Sequence, residues 1–482
     1  MSGKHRKRSG KRKVRLNKDP VYVKYHSGAC ASLEYCMETR LRNGMFIHKL
    51  EKAKPVCSGI ATSLLVLCLI SLLFTSCGQQ EIIVALPPDP MPEATGLRIA
   101  VASDTHFNPK IKESASENGA VFYNPELIDA LLYDAREQGA QMLLLTGDIC
   151  NNGIYGHHEE LAEKLQKAEE RGLSVYVLPG NHDLGPIGQQ DFANLYTDFG
   201  YGEAYSRDEV SLSYCILRED ICLLMMDTAG YLPEAIDLPG ALYETDSSAF
   251  FSEETLCWAD QMLALAQERE LPVLCTGHYN LLTEDSNNPE LPDYYLENGD
   301  RFASLMRTYQ VPLYLSGHLH ARMVLQEEGL TELVTEYLLS YPASYSMLDL
   351  TEGSITYVPR RVNVEAWAKA NGVNDPVLLS YSQWQEDELR QYSYDNVDYM
   401  SERNPLKRWE RNQAADFFYA AMRAYWNGTI AEKQRELKAM PGYASFFRCA
   451  KGFSYGWWLK DLIENASPLL AGFRLEYFTS FQ

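Results

Sequence analysis

The 482-residue sequence contains little glycine, proline or cysteine, and these low counts exclude several classes of protein. With 31 glycines, 22 prolines and 11 cysteines, the chain is neither collagen-like nor of low complexity, nor a small scaffold held by disulfides. No apolar run reaches the roughly 20 residues that a membrane-spanning helix requires. The apolar fraction of 46% is sufficient for one or two large cores, which excludes disorder as the dominant state.

Basic residues are scarce in most of the chain. Residues 1–76 hold 15 lysines and arginines against 4 acids, whereas residues 77–482 hold 29 against 61, a net charge of −32. A surface of this charge repels phosphate backbones. We therefore expect no nucleic-acid partner.

The N-terminal segment has the features of a bacterial lipoprotein signal peptide. An apolar stretch at residues 60–74 follows three lysines and precedes Thr75-Ser76-Cys77, and its length is typical of a signal peptide. The residues before Cys77 resemble a lipobox, in which the cysteine carries the lipid and begins the mature chain. The alternative is an uncleaved signal anchor. In both cases we expect the protein at the extracytoplasmic face of the cell membrane.

Residues 1–76 thus combine a basic N-terminus with a signal peptide. An ordinary signal peptide would begin near Met45, so Met45 is a candidate for the true start of translation. The basic run from Lys4 to Arg15 would then lie upstream of the translated protein. The alternative is a cytoplasmic tail attracted to anionic lipid head groups. Residues 77–96 contain four prolines and no periodicity, which predicts a tether.

From residue 97 onward, short apolar runs alternate with helical patterns, which predicts a layered α/β domain over residues 97–365. The first three runs are LRIAVAS, QMLLLTG and LSVYVLPG, and further runs follow at ICLLMMD, LPVLCTG and VPLYLSG. Period-two apolar runs between Glu332 and Val364 predict antiparallel strands that close the domain. Cys222 and Cys275 lie inside apolar runs, so we expect them to be buried core residues.

Residues that commonly bind metals follow these predicted strands. The motifs are Asp104-Thr105-His106, Gly147-Asp148, Gly180-Asn181-His182-Asp183, Gly277-His278 and Gly317-His318-Leu319-His320. Five of the seven histidines after Cys77 occupy these motifs. The other two, His157 and His158, adjoin two glutamates at a predicted helix start and are expected at the surface.

Strand ends in an open α/β sheet converge on one edge, where ligands bind. Imidazole and carboxylate groups without cysteine favour a hydrolytic metal such as Mn, Fe or Zn. Two ions need about seven groups, one of them shared, and the sequence supplies that number. In four of the motifs a glycine precedes the candidate ligand and allows a sharp turn and a close approach of the backbone: Gly147, Gly180, Gly277 and Gly317.

In this order, the five motifs resemble those of the calcineurin-like metallophosphoesterases over about residues 97–365. The resemblance implies a four-layered α/β/β/α sandwich with two divalent transition metal ions. It places Asp104, His106 and His320 on one ion and Asn181, His278 and His318 on the other, with Asp148 bridging the two. His182 would then be the general acid that protonates the leaving alkoxide, and Asp183 would orient or charge His182.

A hydroxide bridging two such ions would attack phosphorus directly, without a nucleophilic side chain. The sequence has no Gly-x-Ser-x-Gly or P-loop motif that would indicate another mechanism. We therefore expect a membrane-tethered phosphohydrolase whose substrate is a small phosphoester or a phospho group at the cell envelope. A phosphodiester, a phosphomonoester and a pyrophosphate remain open. The alternative is a non-catalytic envelope-binding lipoprotein that retains the fold.

Two residues depart from the family pattern. Cys150 occupies a position where threonine is frequent, and we expect a packed, inert thiol. Tyr279 follows His278 where many relatives carry a second histidine, and it fits either a substrate contact or a pocket wall. The pocket walls themselves are expected from residues 107–123, 237–255 and 281–295.

Residues 366–482 show apolar and aromatic residues at helical spacing, which predicts a C-terminal helical region. One interpretation is a cap over the metals or a docking surface for envelope molecules. The preferred interpretation is that Trp426, Trp457 and Trp458 are core residues that pack the helices together and onto the sandwich.

Overall fold

The computed structural model describes residue 94 and residues 96–113, 119–229, 249–282, 296–465 and 467–476. The predictions for the signal segment, Met45, Cys77 and nearly all of the tether lie outside these residues. Within the described ranges, no helix combines the length and the apolar character needed to cross a membrane.

The first sheet has six strands in the order β13-β12-β11-β1-β2-β3. They are β1 (Leu97–Ala102), β2 (Met142–Thr146), β3 (Ser174–Leu178), β11 (Ser344–Thr351), β12 (Ser354–Arg361) and β13 (Phe473–Glu476). Strands β1, β2 and β3 are parallel, whereas β11, β12 and β13 each run antiparallel to a neighbour. The predicted βαβ order and the antiparallel closing strands are thus both present.

Two helices connect the parallel strands, α1 (Asn124–Glu137) and α2 (Tyr155–Glu169). In α1 a proline occupies the first turn, and Leu127, Leu131 and Ala135 are buried at every fourth position. Gly139 follows the helix with a φ of +81°, a conformation that favours glycine at a helix end.

The second sheet has seven strands in the order β4-β5-β6-β7-β8-β10-β9, of which β6, β7, β8 and β10 are parallel. They are β4 (Ser206–Arg207), β5 (Tyr214–Leu217), β6 (Cys222–Met225), β7 (Val273–Thr276), β8 (Leu313–Ser316), β9 (Met323–Glu327) and β10 (Leu330–Val334). Three helices precede or connect these strands: α3 (Gln189–Leu195), α4 (Glu253–Glu268) and α5 (Gly299–Thr308).

The two sheets face each other, and helices cover their outer faces. In β6, Leu223 and Met225 belong to the core shared with the first sheet, whereas Cys222 and Leu224 pack with α4 and α5. Helices α1 and α2 pack on the other face of the first sheet. Because both faces of these strands are covered, their side chains are nearly all buried. The predicted α/β/β/α layers are confirmed, and Cys222 and Cys275 are buried core residues.

The C-terminal region contains six α-helices within its described residues. They are α6 (Val364–Ala370), α7 (Tyr381–Arg403), α8 (Arg408–Trp426), α9 (Ile430–Ala439), α10 (Tyr443–Cys449) and α11 (Ser454–Asn465). Their buried residues belong to the same apolar cluster as the first sheet. Trp426 is buried and Trp458 packs against this cluster, but Trp457 is 49% exposed, so the packing interpretation does not extend to Trp457.

The end of the chain returns to the first sheet as β13, which pairs antiparallel with β12. The prediction of a purely helical region missed this strand. In its four residues, Phe473 and Leu475 are buried and the two between and after them are exposed. A strand this short shows too few periods for its alternation to stand out in sequence.

Candidate metal centre

The predicted ligands lie at the carboxyl ends of strands in both sheets. Asp104 follows β1 and Asp148 follows β2, while Asn181 lies three residues beyond β3. In the second sheet, His278 and His318 each lie two residues beyond a strand, β7 and β8 respectively. The hydrogen bond from the Asp104 N–H to the Gly147 carbonyl oxygen, at 3.0 Å, joins the first two loops. The motifs are thus brought to one edge of the sandwich by strand order.

One group of donor atoms consists of Asp104, His106, Asp148 and His320, whose atoms all lie within 4.8 Å of one another. His320 Nε2 is 3.1 Å from His106 Nε2 and 3.2 Å from Asp104 Oδ1. Asp148 Oδ2 is 3.6 Å from His106 Nε2. This spacing is suitable for a single cation at the centre of the group.

The second group forms around His278. Its Nε2 atom is 3.2 Å from Asn181 Oδ1 and 3.3 Å from Asp148 Oδ2, and its ring centroid is 5.2 Å from that of His318. Asp148 Oδ2 therefore contacts both groups, which is the position that a bridging carboxylate requires. All seven predicted ligands converge, although their roles as ligands stay a prediction.

The backbone at these residues adopts an uncommon conformation. Five of the seven predicted ligands have a positive φ: Asp104 (50°), His106 (39°), Asp148 (47°), His318 (67°) and His320 (53°). The left-handed region is disfavoured for residues with a Cβ, and such residues cluster at functional sites. The surrounding structure must therefore hold these loops in place.

Glycines make room for the carboxylates. A Cβ atom at Gly180 would lie 2.2 Å from Asp148 Oδ1, and one at Gly317 would lie 2.4 Å from Asp104 Oδ2. Both distances are far below van der Waals contact, so neither position accepts a side chain without moving a predicted ligand. At these two positions, the backbone approaches the carboxylates as closely as predicted, and only glycine leaves enough space for this.

Each carboxylate is oriented by a backbone N–H on one oxygen. Asp104 Oδ2 accepts a hydrogen bond from His318 N at 3.0 Å, and Asp148 Oδ1 accepts one from His182 N at 2.8 Å. The other oxygens, Asp104 Oδ1 and Asp148 Oδ2, face the imidazoles. His278 Nδ1 contacts the carbonyl oxygen of Thr146 at 3.0 Å, which turns Nε2 towards the centre. Metal-ligating histidines are oriented in this manner.

The protonation of the site is compatible with metal ligands. Burial is the main cause that lowers the pKa of His106 and of His318 to about 3, so both rings are neutral at pH 7. Burial opposes charge on Asp104, but His320 outweighs it and lowers the pKa to about 2. For His278, the Asp148 carboxylate outweighs burial and raises the pKa to about 9. Cation binding displaces such a proton.

The donor set fits a pair of divalent transition metal ions. It consists of four imidazoles, two carboxylates and one amide oxygen, and no thiolate is among them. Both inward-facing carboxylate oxygens are buried and lie next to imidazole nitrogens.

His182 lies at the rim of the centre. Its side chain is 31% exposed, and its Nε2 is 3.9 Å from Asp148 Oδ2. Its ring meets that of His106 edge-on, with centroids 4.9 Å apart. A ring that is held on one side and open to solvent on the other is suitable for contact with a substrate.

Asp183 differs from its expected role. One oxygen accepts hydrogen bonds from Ile149 N at 3.1 Å and Gly180 N at 2.8 Å, and the other accepts from Cys150 N at 2.8 Å. Its hydrogen bonds among the described residues thus go to two loops and not to the His182 ring. Burial, followed by the charge of Asp148, raises the pKa of Asp183 to about 8 against these donors. Asp183 therefore positions the Asp148 loop.

His157 and His158 are buried, contrary to the expectation that they lie at the surface. His158 Nδ1 is 2.8 Å from the hydroxyl of Tyr196, and Nε2 is 3.2 Å from the carbonyl oxygen of Asp183. The helix α2 turns this face inward, which the adjacent glutamates concealed. Cys150 is buried, and burial raises its pKa well above the usual value, as expected for an inert thiol.

Two tyrosines contact the predicted ligands. Tyr279 is 1% exposed, and its ring lies against that of His318 with centroids 4.0 Å apart, so it forms part of the wall. Tyr337 stacks on His320 with centroids 4.7 Å apart and an angle of 14°. Tyr337 was not predicted, although its place three residues beyond β10 is a strand end of the same kind.

Glu332 was also missed. This buried residue of β10 accepts hydrogen bonds from Leu282 N at 2.6 Å and from the hydroxyl of Ser316 at 2.5 Å. Asn280 donates to both Glu332 and Ser316, at 3.2 and 3.0 Å. The network joins the loops that carry His278 and His318. The sequence signal that could have identified Glu332 was a charged residue inside the apolar run LTELV.

Most of the expected pocket walls lie outside the described residues. In the three expected segments, residues 114–118, 237–248 and 283–295 lie outside the described residues. The described parts of the three segments include Phe107 and Leu281, both buried.

Comparison with known families agrees with this geometry. Residues 97–322 match the family described as calcineurin-like phosphoesterase, and residues 363–466 match the C-terminal domain of cyclic nucleotide phosphodiesterase. Residues 97–322 are thus similar in sequence to calcineurin-like phosphoesterase domains.

Among curated proteins, the chain is similar to tartrate-resistant acid phosphatase type 5. The Mus musculus protein is 27% identical over 203 residues, which cover 40% of this chain and 58% of the relative. The Homo sapiens protein is 27% identical over 161 residues, covering 33% and 47%. The chain thus spans about half the length of the curated relatives it matches.

Similar solved structures include a dimetal phosphatase from Danio rerio and purple acid phosphatase PPD1 from yellow lupin. The first is 15% identical, with a TM-score of 0.41 over 55% of this chain and 96% of that chain. The second is 12% identical, with a TM-score of 0.39 over 56% and 52%.

Proposed function

We propose that this chain is a phosphohydrolase that depends on two divalent transition metal ions. The observation that carries the proposal is the position of Asp148 Oδ2, which lies 3.6 Å from His106 Nε2 and 3.3 Å from His278 Nε2. One carboxylate oxygen is thus shared between two groups of donors. Bound ions would supply electrophilic stabilisation of the phosphate and a water that ionises near neutral pH.

The chain's own residues would hold the ions, orient the ligands and protonate the leaving oxygen. Two sets of three ligands flank Asp148: Asp104, His106 and His320 on one side, and Asn181, His278 and His318 on the other. His182 would hold a proton on Nε2 at the solvent-facing rim and deliver it to the leaving oxygen. Asp183 would keep the Asp148 loop in register through its three backbone hydrogen bonds.

A phosphodiester is the substrate class that we propose first. The match of residues 363–466 to the C-terminal domain of cyclic nucleotide phosphodiesterase supports a small phosphodiester of the cyclic nucleotide kind. The similarity to acid phosphatases supports a phosphomonoester as the second candidate. The net charge of −32 over residues 77–482 disfavours long polyanions.

The direct test uses the full chain after metal removal. We expect added Mn²⁺, Zn²⁺ or Fe²⁺ to restore hydrolysis of bis(p-nitrophenyl) phosphate and of a 3′,5′-cyclic nucleotide, and a chelator to abolish it. Faster hydrolysis of p-nitrophenyl phosphate would favour the monoester instead. Uptake of two ions without hydrolysis of any of the three compounds would support the non-catalytic binding protein.

We further propose that the protein acts at the extracytoplasmic face of the cell membrane, anchored by a lipid on Cys77. The apolar stretch at residues 60–74 and the short residues before Cys77 support this location. An intact-mass measurement of the native protein should give a lipid-modified chain that begins at Cys77. A mass that corresponds to an unmodified start at Met1 or Met45 would contradict the lipid anchor.

A further inference from the structure

Arg322 connects the metal-site loop to the C-terminal helices. It lies two residues after His320 and is 3% exposed. Its guanidinium donates hydrogen bonds to both carboxylate oxygens of Glu336 and, at 2.7 Å, to the hydroxyl of Ser344. The Nη1 atom of the same guanidinium donates a hydrogen bond to the carbonyl oxygen of Trp426 at 3.0 Å. A buried guanidinium with all of these partners is well satisfied.

Trp426 is the last residue of helix α8. The final carbonyl groups of a helix have no intrahelical donor and carry the negative end of the helix dipole. The Arg322 guanidinium supplies both a donor and a positive charge at this point. The contact is therefore specific for the end of α8.

The same helix end also holds the backbone of Arg322. The Tyr425 hydroxyl donates a hydrogen bond to the Arg322 carbonyl oxygen at 3.1 Å. The side chain of Arg322 is thus bonded to Trp426 and its main chain to Tyr425, two consecutive residues of α8. His320, two residues earlier, has a φ of 53°, which needs support from its surroundings.

The partner of Arg322 leads back to the same imidazole. Glu336 is followed by Tyr337, whose ring stacks on His320 with centroids 4.7 Å apart. The end of α8 therefore reaches His320 by two routes, one through the backbone and one through the stacked ring.

We propose that the C-terminal region positions His320, and through it the ion held with Asp104 and His106, by way of Tyr425, Trp426 and Arg322. This inference rests on the proposed metal-dependent function. In it, the C-terminal helices act as a support for one half of the metal centre, in place of the cap or docking surface considered from the sequence. Arg322 and Tyr425 are positioning residues, since neither is among the predicted ligands.

The test is the substitution Tyr425→Phe, which removes one hydroxyl and keeps the ring. The metal-depleted full chain is titrated with Mn²⁺, and free Mn²⁺ is followed by electron paramagnetic resonance. We expect the affinity of one of the two sites to fall by about tenfold, as for other groups that orient a ligand, while the second site changes little. Phosphodiesterase activity is not needed for this readout.

A matched control is Tyr214→Phe. The hydroxyl of Tyr214 is also buried and also donates to a backbone carbonyl, that of Val177, at 2.8 Å. It joins β5 to β3 and not to the His320 loop. We expect this variant to bind both ions as the wild type does, with a loss of stability similar to that of Tyr425→Phe.

The site that weakens is identified with His320→Ala. In that background, Tyr425→Phe should have no further effect on the remaining ion, because the ligand it supports is absent. Arg322→Lys, which keeps the positive charge but loses the planar set of guanidinium donors, should also weaken metal binding at a single site.

The outcomes separate the two proposals. If the wild type binds two ions and Tyr425→Phe binds them equally well, or weakens both sites to the same extent, the positioning inference is wrong and the proposed function stands. If the same loss appears with Tyr214→Phe, the effect is one of general stability and the inference is also wrong. If the wild type binds no Mn²⁺, Zn²⁺ or Fe²⁺, the proposed function itself fails.

Discussion

At the scale of single residues, one carboxylate decides the character of the site. Asp148 is buried, and although burial opposes its charge, His278 and His182 hold its pKa well below the usual value. Its Oδ1 is occupied by the His182 N–H, so Oδ2 alone faces the two groups of imidazoles. An isolated buried charge of this kind would be costly, which is consistent with cations as its partners.

The substitution Asp148→Asn tests the bridging role. We expect both ions and the activity to be lost together, with activity lower by more than about 100-fold, because the loss of a shared ligand should exceed that of an orienting group. Metal content by elemental analysis and hydrolysis of the nitrophenyl diester are the measurements. Asp349→Asn, which weakens the ion pair with Arg98 at the opposite end of β1, is the control and should keep both ions. Full activity of Asp148→Asn would exclude the bridging assignment.

The role of His182 is tested by its dependence on the leaving group. His182→Ala should slow hydrolysis of an alkyl phosphoester by about 10²- to 10⁴-fold and hydrolysis of an activated nitrophenyl ester only slightly, since a nitrophenolate leaves without a proton. The ratio of the two kcat values is the measurement. Equal losses for both substrates would show that His182 binds the phosphate and does not act as an acid.

At the scale of secondary-structure elements, the site depends on how strands end. The chain turns directly after each strand, and this turn keeps the predicted ligand at the edge of the sheet. The glycines in these turns allow adjacent loops to contact each other. Gly180 follows β3 and contacts the Asp148 loop, which follows β2. The hydrogen bonds of Asp183 cross the same gap. These contacts between loops, more than the sheets alone, determine where the donors lie.

Gly180→Ala should displace Asp148, because its Cβ would lie 2.2 Å from Asp148 Oδ1. We expect a loss of stability of about 1–3 kcal/mol and a clear reduction of bound metal. Thermal unfolding and elemental analysis are the measurements. The control is Gly156→Ala in α2, where an added Cβ meets nothing within 4 Å and where alanine favours the helix by up to about 1 kcal/mol. Normal metal content in Gly180→Ala would show that the loop adapts.

At the scale of the whole molecule, the α/β domain and the C-terminal helices share one core. The apolar cluster of the first sheet continues into α7 and α8, and β13 adds a strand at the edge of that sheet. The ion-paired Arg322 crosses the same boundary. We therefore expect the two matched segments to fold as one cooperative structure.

Removal of residues 363–482 should consequently prevent the formation of a soluble domain. The truncated chain would expose the apolar face that α6, α7 and α8 cover and would lose the partner strand of β12, so we expect aggregation. Size-exclusion chromatography of the truncated chain, beside a chain that begins at residue 94 and retains these helices, is the measurement. A monomeric truncated domain with two bound ions would contradict both the shared core and the positioning of His320 by α8.

Much of this protein was determined by its sequence alone. The alternation of apolar runs with helical patterns predicted the layers, and the position of Asp148 or His278 directly after a run predicted that it would lie at the sheet edge. These are local properties, because strand periodicity and turn residues are expressed within a few positions.

Only the tertiary structure decided which atoms meet. His106 and His320 are 214 positions apart, and their contact depends on the order of strands in two sheets. The bonding of Asp183 to the Asp148 loop, the burial of His158 and the attachment of Arg322 to α8 arise in the same manner. Each joins groups that are distant in the chain, and no short pattern records which distant group will be the partner once the layers pack.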